Sequence, residues 1–224
     1  VEKATKGEKL MSARDQIMAS IRGSLGRTAA PAEQQVAALQ MRGEAARRHS
    51  RPAVSDDMMG QLKTQMARVQ MTLTELESED ELAEAVASYL REHQLPAAIT
   101  IAPELAHVQW PESLEVHTGA ARASDLSSVT ACICAIAETG SMMMAASAQS
   151  PATLRFMPDN HMVVLRRDQV VAHLEDAWAV MREQPGGISR AVHINTGPSR
   201  TGDVEQVIEI GAHGPRRMHV FLID

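Results

Sequence analysis

The chain has 224 residues, with 22 basic and 28 acidic side chains, a formal net charge of −6, 44% apolar residues and 2% aromatic ones. That length fits one large domain, or one domain with an appendage. No apolar run reaches the roughly 18 residues of a membrane span, the N-terminal stretch lacks the apolar segment of a secretory signal, and two cysteines supply neither a disulfide framework nor the roughly four thiolates of an iron–sulfur cluster. A reducing cytoplasm is the expected compartment. Scarce aromatic rings leave base stacking poorly supplied, and no helix-turn-helix, zinc-finger or RNA-binding signature is present, so no nucleic-acid partner is expected.

The charge divides the chain. Residues 1–51 carry +5 and residues 52–224 carry −11, and all four lysines lie in the first 63 positions. This pattern predicts a basic arm ahead of an acidic body. Residues 1–10 read as an upstream or expression-added segment, because Met11-Ser12-Ala13-Arg14-Asp15 resembles a natural start with Ser12 as helix cap. Ile17, Ile21 and Leu25 recur at helical spacing up to Gly26, and Val36, Leu39 and Met41 mark a weaker second helix that stops before Pro52. Residues 11–51 thus form a helical arm and linker, and residues 52–224 the body.

Within the body, Met58 to Met71 predicts a helix, 72–76 a strand, and 80–92 a helix with Leu82, Val86 and Leu90 inward. Residues 97–101 and 114–117 read as short strands, 128–137 as one long apolar strand, and 141–146 as its hairpin partner. Residues 162–165 predict a strand, 168–182 a helix, and 191–194 and 219–223 two further strands. Strands alternating with helices predict an α/β sandwich with a mixed sheet.

Four segments carry candidate chemistry. Thr196 to Glu205 (TGPSRTGDVE) follows a strand, and its glycines, proline and hydroxyls suit a tight loop before a helical run at Val204, Val207 and Ile208. Backbone N–H groups at such a helix start can hold an anion. Gly197, Ser199 and Thr201 are candidate ligand contacts, and Arg200 could grip a carboxylate or phosphate in bidentate fashion. Asp203 and Glu205 would repel a bound anion, so they orient Arg200 or hold a polar partner; a capped turn with solvated charges is the plainer alternative. Glu138-Thr139-Gly140 places a carboxylate directly after a strand, as a general base, nucleophile or acceptor, or simply as a hairpin turn. His161 sits at a strand entrance behind the Pro158-Asp159-Asn160 turn, where structural and catalytic roles are both open. Arg216 and Arg217 precede the final strand and could meet an anion. Cys132 and Cys134, spaced C-x-C in one strand, should share a face as small buried hydrophobes. The nine histidines show no paired metal-ligand spacing, and no metal site is expected.

A-I-A-E-T-G at 135–140, L-R-F-M-P-D-N-H at 154–161, T-G-P-S-R-T-x-D-x-E at 196–205 and G-x-H-G-P-R-R-x-H-V at 211–220 together resemble the LUD (lactate utilisation) domain, and within it the lactate-utilisation protein C family. The resemblance covers roughly residues 50–224, and the Met11 segment is similar to that family's opening helix. Two departures are Thr196, where the family pattern has Ser, and Gly202, where it has Ala. The resemblance implies a NagB/RpiA/CoA-transferase-like sandwich with a Rossmann-like sheet. It also implies a role in oxidising L-lactate to pyruvate alongside iron–sulfur partner proteins, with no cofactor in this chain. On that reading Glu138 and His161 are the candidate catalytic groups. Thr139, Gly140, Gly197, Ser199, Arg200, Thr201, Asp203, Glu205 and Arg216 line a cleft for a small carboxylate, with Arg200 on the carboxylate. The alternatives are a stand-alone enzyme on a CoA thioester or phosphosugar, as in fold relatives, and a non-catalytic assembly subunit.

Overall fold

The computed structural model describes residues 12–26, 32–46, 51–147, 150–202 and 209–224. Contacts divide the chain into two units, Val1–Ser50 and Arg51–Asp224.

In the first unit, α1 (Ala13–Ser24) begins at Ser12, whose hydroxyl accepts from Asp15 N at 3.2 Å. The helix buries none of its residues, and Ile17, Ile21 and Leu25 stay exposed. A second helix, α2, spans Glu33–Ala46.

The second unit is built on a six-stranded sheet. Its strands are β1 (Thr72–Leu76), β2 (Ala98–Ile101), β3 (Glu115–Thr118), β4 (Ser127–Ala131), β7 (Asn160–Arg166) and β12 (Arg217–Ile223), in the order β1-β12-β7-β4-β2-β3. Every pairing in it is parallel. The central strands, NHMVVLR and RMHVFLI, are near-continuous apolar runs because both faces are covered. One face, with Met162, Val164, Phe221 and Ile223, packs against Leu82, Val86, Tyr89 and Leu90 of α4 (Leu82–Glu92). The other, with Val163, Leu165, Val220 and Leu222, packs on Leu62 and Met66 of α3 (Met58–Arg68) and on a second sheet.

That second sheet has the order β8-β5-β6-β9, from β5 (Cys134–Ile136), β6 (Ser141–Ala146), β8 (Val170–Val171) and β9 (Ala191–Asn195). Ala135, Met142 and Met144 face the central sheet. Cys134, Ile136 and Met143 face Ala177 and Met181 of α6 (Leu174–Glu183). The α/β class follows the sequence reading; the mixed pairing resides in this second layer, where β5 is parallel to β8 and antiparallel to β6.

Two expectations are corrected. The 128–137 run is not one strand: β4 ends at Ala131, Cys132 N bonds Val164 O, and Ile133 N bonds Met143 O, so the chain changes sheets at Cys132–Ile133. Consequently Cys132 lies between the sheets while Cys134 lies under α6, and they do not share a core. The 168–182 helix is likewise shorter. Residues 167–169 make a turn, Val170–Val171 form β8 against β5, and α6 starts only after His173, whose backbone N–H bonds Asp176 Oδ2 at 3.1 Å. Tertiary pairing overrides the local helical pattern there.

Candidate functional site

The β5–β6 turn carries Glu138, Thr139 and Gly140. Gly140 N bonds Ile136 O at 2.8 Å, and its φ of +73° suits glycine. A Cβ at Gly140 would also lie 2.7 Å from Met66 N, so this turn is seated on α3. Because β5 and β8 are parallel, the residues leaving β8 emerge beside Glu138. Glu138 N bonds Ala172 O at 3.0 Å, and its carboxylate lies 3.3 Å from His173 Nδ1. On the other flank, Ser141 Oγ is 2.7 Å from both Thr139 Oγ1 and Thr196 Oγ1. Gly197 follows at φ +88°, and a Cβ there would collide with the Val69 carbonyl just past α3. A polar row therefore runs His173–Glu138 and Thr139–Ser141–Thr196 along one end of the second sheet. Its two glycines rest on the last turn of α3 and its C-cap, Gly140 on Gln65 and Met66 and Gly197 on Val69.

From Gly197 the chain meets the 211–217 segment. Ser199 N bonds Pro215 O at 2.8 Å, Gly211 N bonds Ser199 O at 3.0 Å, and Ser199 Oγ accepts from His213 N at 3.2 Å. Arg200 and Thr201 form β10, paired antiparallel with β11 (Glu209–Ile210). Arg216 N and Arg217 N both donate to Asp159 O, at 2.8 and 2.9 Å. Asn160 accepts from Arg217 at 3.2 Å through its side-chain oxygen and donates to Leu126 O at 2.9 Å through its amide. All four segments quoted above are thus joined by hydrogen bonds or direct packing. At the amino ends of β7 and β12 lies a cleft of about 410 Å³, walled by Leu95, Leu126, Asp159, Asn160, Ile210, Arg216 and Arg217; neither Glu138 nor the 196–201 stretch lines it.

At the opposite end of the central sheet a recess of about 410 Å³ is lined by Arg166, Arg167, Asp168 and Asp224, and its arginines are ion-paired. Arg166 and His107 pair with Glu79 at 2.5 and 2.8 Å, and Arg167 pairs with Glu75 at 3.3 Å and with Asp224. Glu79 is held below the usual carboxylate range, chiefly by its hydrogen bond to His107 and then by Arg166, against the opposing effect of burial. Arg216, by contrast, makes no ion pair among the described residues. Ligands of open parallel sheets usually collect at strand carboxyl ends; here Arg216 and Arg217, neither in an ion pair among the described residues, lie at the amino ends.

The structure brings Glu138, Thr139, Gly140 and Gly197 into the polar row, and Ser199 and Arg216 into the adjoining loop pair. Arg200 is exposed on β10 beside Thr201, and neither lines the cleft. Asp203, Glu205 and the helical run at 204–208 lie outside the described residues. His161 is separated from the row: it is 0% exposed between the two sheets, with Nε2 2.9 Å from Thr130 Oγ1 and Nδ1 without a partner among the described residues. Burial, and then the nearby Arg155 charge, push its pKa down to about 3, so the ring is neutral and packed away from solvent.

Sequence reasoning missed Arg155, which is 2% exposed and donates to Ala145 O at 2.9 Å, Ser150 O at 3.1 Å and Pro151 O at 3.3 Å. It anchors α5 (Thr153–Phe156) to the end of β6. His173, Ser141 and Thr196 were not singled out as candidates either. Burial pushes the Cys134 thiol up to about 11 and the Cys132 thiol higher still, leaving both as thiols. Among the described residues no three His, Cys, Asp or Glu side chains gather as a metal would need. Among them, too, no helix is long and apolar enough to cross a membrane.

The chain is similar to lactate utilization protein C of Deinococcus radiodurans, 37% identical over 97 residues, 42% of this chain and 45% of that protein. It is also similar to lactate utilization protein C of Geobacillus kaustophilus, 28% identical over 85 residues, 37% of this chain and 35% of that protein. The match spans less than half the length of either relative. A crystal structure of a DUF162 family protein from Deinococcus radiodurans shares the fold, with a TM-score of 0.56 and 22% identity over 77% of this chain and 100% of that one. The LUD domain profile matches residues 59–223, the whole span from α3 through β12 that holds both the polar row and the arginine cleft. The chain belongs to the LUD domain family.

Proposed function

We propose that this protein is a component of a bacterial lactate-utilisation system, and that the cleft between Asn160 and Arg216 receives a small carboxylate. The reading is supported by family membership and by the relatives named for lactate utilisation. The observation that carries it is the Arg216 guanidinium, without an ion pair among the described residues, on the wall of a cleft of about 410 Å³ next to Arg217 and Asn160. A guanidinium fork matches a carboxylate bidentately. Arg216, rather than Arg200, takes that role.

Oxidation of L-lactate to pyruvate releases two electrons and two protons. On this reading the electrons pass to iron–sulfur partner proteins, as the family resemblance implies; both cysteines of this chain are buried thiols. Two free buried thiols also suit a cytoplasmic setting. Glu138 lies on the polar row that holds the 196–199 loop, within reach of His173 as a proton acceptor. The exposed apolar stripe of α1, Ile17, Ile21 and Leu25, would serve partner contact. The test is lactate-dependent electron transfer by the complex reconstituted from this chain and its iron–sulfur partners. Arg216→Ala is expected to lower it at least tenfold, roughly the loss of one charge-assisted contact. Wild-type rates in that variant would remove the carboxylate assignment.

A further inference from the structure

Asn160 opens β7 where three parallel strands start side by side. It pairs with Ser127 of β4 on one flank and with Arg217 of β12 on the other. It is 2% exposed, yet it lines the cleft of about 410 Å³. Its backbone N–H and its side-chain amide both donate to Leu126 O, at 3.0 and 2.9 Å, and its amide oxygen accepts from Arg217 Nη1 at 3.2 Å. One buried side chain therefore fixes an apolar wall of the cleft, Leu126, and a cationic one, Arg217.

An amide meets both demands at once. The Leu126 carbonyl needs a donor and the guanidinium needs an acceptor. A carboxylate at position 160 would set an oxygen against that carbonyl and give Arg217 a buried counter-charge. The neutral amide oxygen orients the guanidinium without neutralising it. Arg217 makes no ion pair among the described residues, and its Nε and Nη2 have no hydrogen-bond partner there. Those two nitrogens form one edge of the guanidinium fork, the edge left open when Nη1 is taken, and such an edge matches a carboxylate bidentately. The Asp159 carbonyl accepts from Arg216 N and Arg217 N, so the turn that carries Asn160 also sets the backbone of both arginines. The lining holds two guanidinium groups against the single carboxylate of Asp159, an excess that suits a monoanion.

We propose that Arg217 is a second anion-binding residue of this cleft and that Asn160 is its positioning residue. The buried amide holds Nη1, and the Nε–Nη2 edge meets the ligand's carboxylate. A guanidinium held in place beforehand loses less freedom on binding than one that must be ordered by the ligand. The proposal rests on the reading that the cleft receives a small carboxylate, and it adds to Arg216 a contact whose geometry is already set in the free protein.

The experiment follows the arginine Nε–Hε signals and backbone amides of the full chain by NMR, first without ligand and then in titrations with L-lactate and acetate. In the free protein, Asn160→Ala should move the Arg217 Nε–Hε signal into the envelope of mobile arginines and leave that of Arg216 in place. Arg217→Ala should weaken binding of both acids about tenfold. Asn160→Asp, nearly isosteric and independent of whether the alanine variant folds, should weaken it at least as much, because the new carboxylate competes for Arg217. In the reconstituted complex that loss should appear in KM for lactate rather than in kcat. Full affinity in Arg217→Ala, with loss in Arg216→Ala, overturns the proposal and leaves the carboxylate cleft standing. Full affinity in Asn160→Asp, or an unmoved Arg217 signal in Asn160→Ala, overturns the positioning role. A wild-type chain unmoved by tens of millimolar of either acid overturns both the proposal and the reading beneath it.

Discussion

His161 and His219 are ring groups that the fold keeps uncharged. Burial, and secondarily Arg155, take His161 down to about 3; burial, and secondarily His93, take His219 to about 4. In the unfolded chain both return to about 6.5. Between those values the unfolded state binds protons that the native state lacks, so stability is full above about pH 6.5 and drains as pH falls toward 3. Urea midpoints measured across pH 4–8 should rise with pH, and His161→Leu should flatten that slope whatever it does to absolute stability. The two turn glycines make a second residue-scale prediction. Gly140→Ala and Gly197→Ala each force a positive φ and a clash with the α3 segment, and should each cost about 1–3 kcal/mol in chemical denaturation. Glu138, Gly197 and Arg216 were legible because turn chemistry advertises them locally. His173 and Ser141 were not, because only the pairing of β5 with β8 and of β6 with β9 brings them to the row.

At the scale of elements, α3 is the common support of both site turns. Met66 is 1% exposed in the core between the layers, and its backbone lies directly under Gly140. Met66→Ala should destabilise by about 2–5 kcal/mol, read from urea unfolding. Most strands and helices were readable from period and breakers, since α4 and β12 repeat apolar residues at 3.6 and near-continuous spacing respectively. What escaped was the change of sheet at Cys132–Ile133, where the sequence stays uniformly apolar while the backbone changes partners. The same holds for β8: Val170 and Val171 fit the inward face of a helix as well as a two-residue strand, and only β5 decides between them. The four-residue α5 is too short to carry any period, and its core contribution, Arg155, reads from sequence as a surface residue.

For the molecule as a whole, the division at Ser50 and Arg51 makes a direct prediction. A chain of residues 51–224 should melt at the temperature of the full protein within a degree or two, since α1 buries none of its residues. If α1 docks partners as proposed, the same truncation should abolish their pull-down. One topological fact reaches further. β12 lies inside the central sheet, between β1 and β7, and Thr72 meets His219 across 147 positions of sequence. Until residues 217–223 are available, β1 and β7 lack the strand that joins them in the sheet. Such an assembly is slow and adhesive while it waits. Synthesis of this protein should therefore lean on chaperones that shield strand edges, and stalling it before residue 217 should leave a product prone to aggregate.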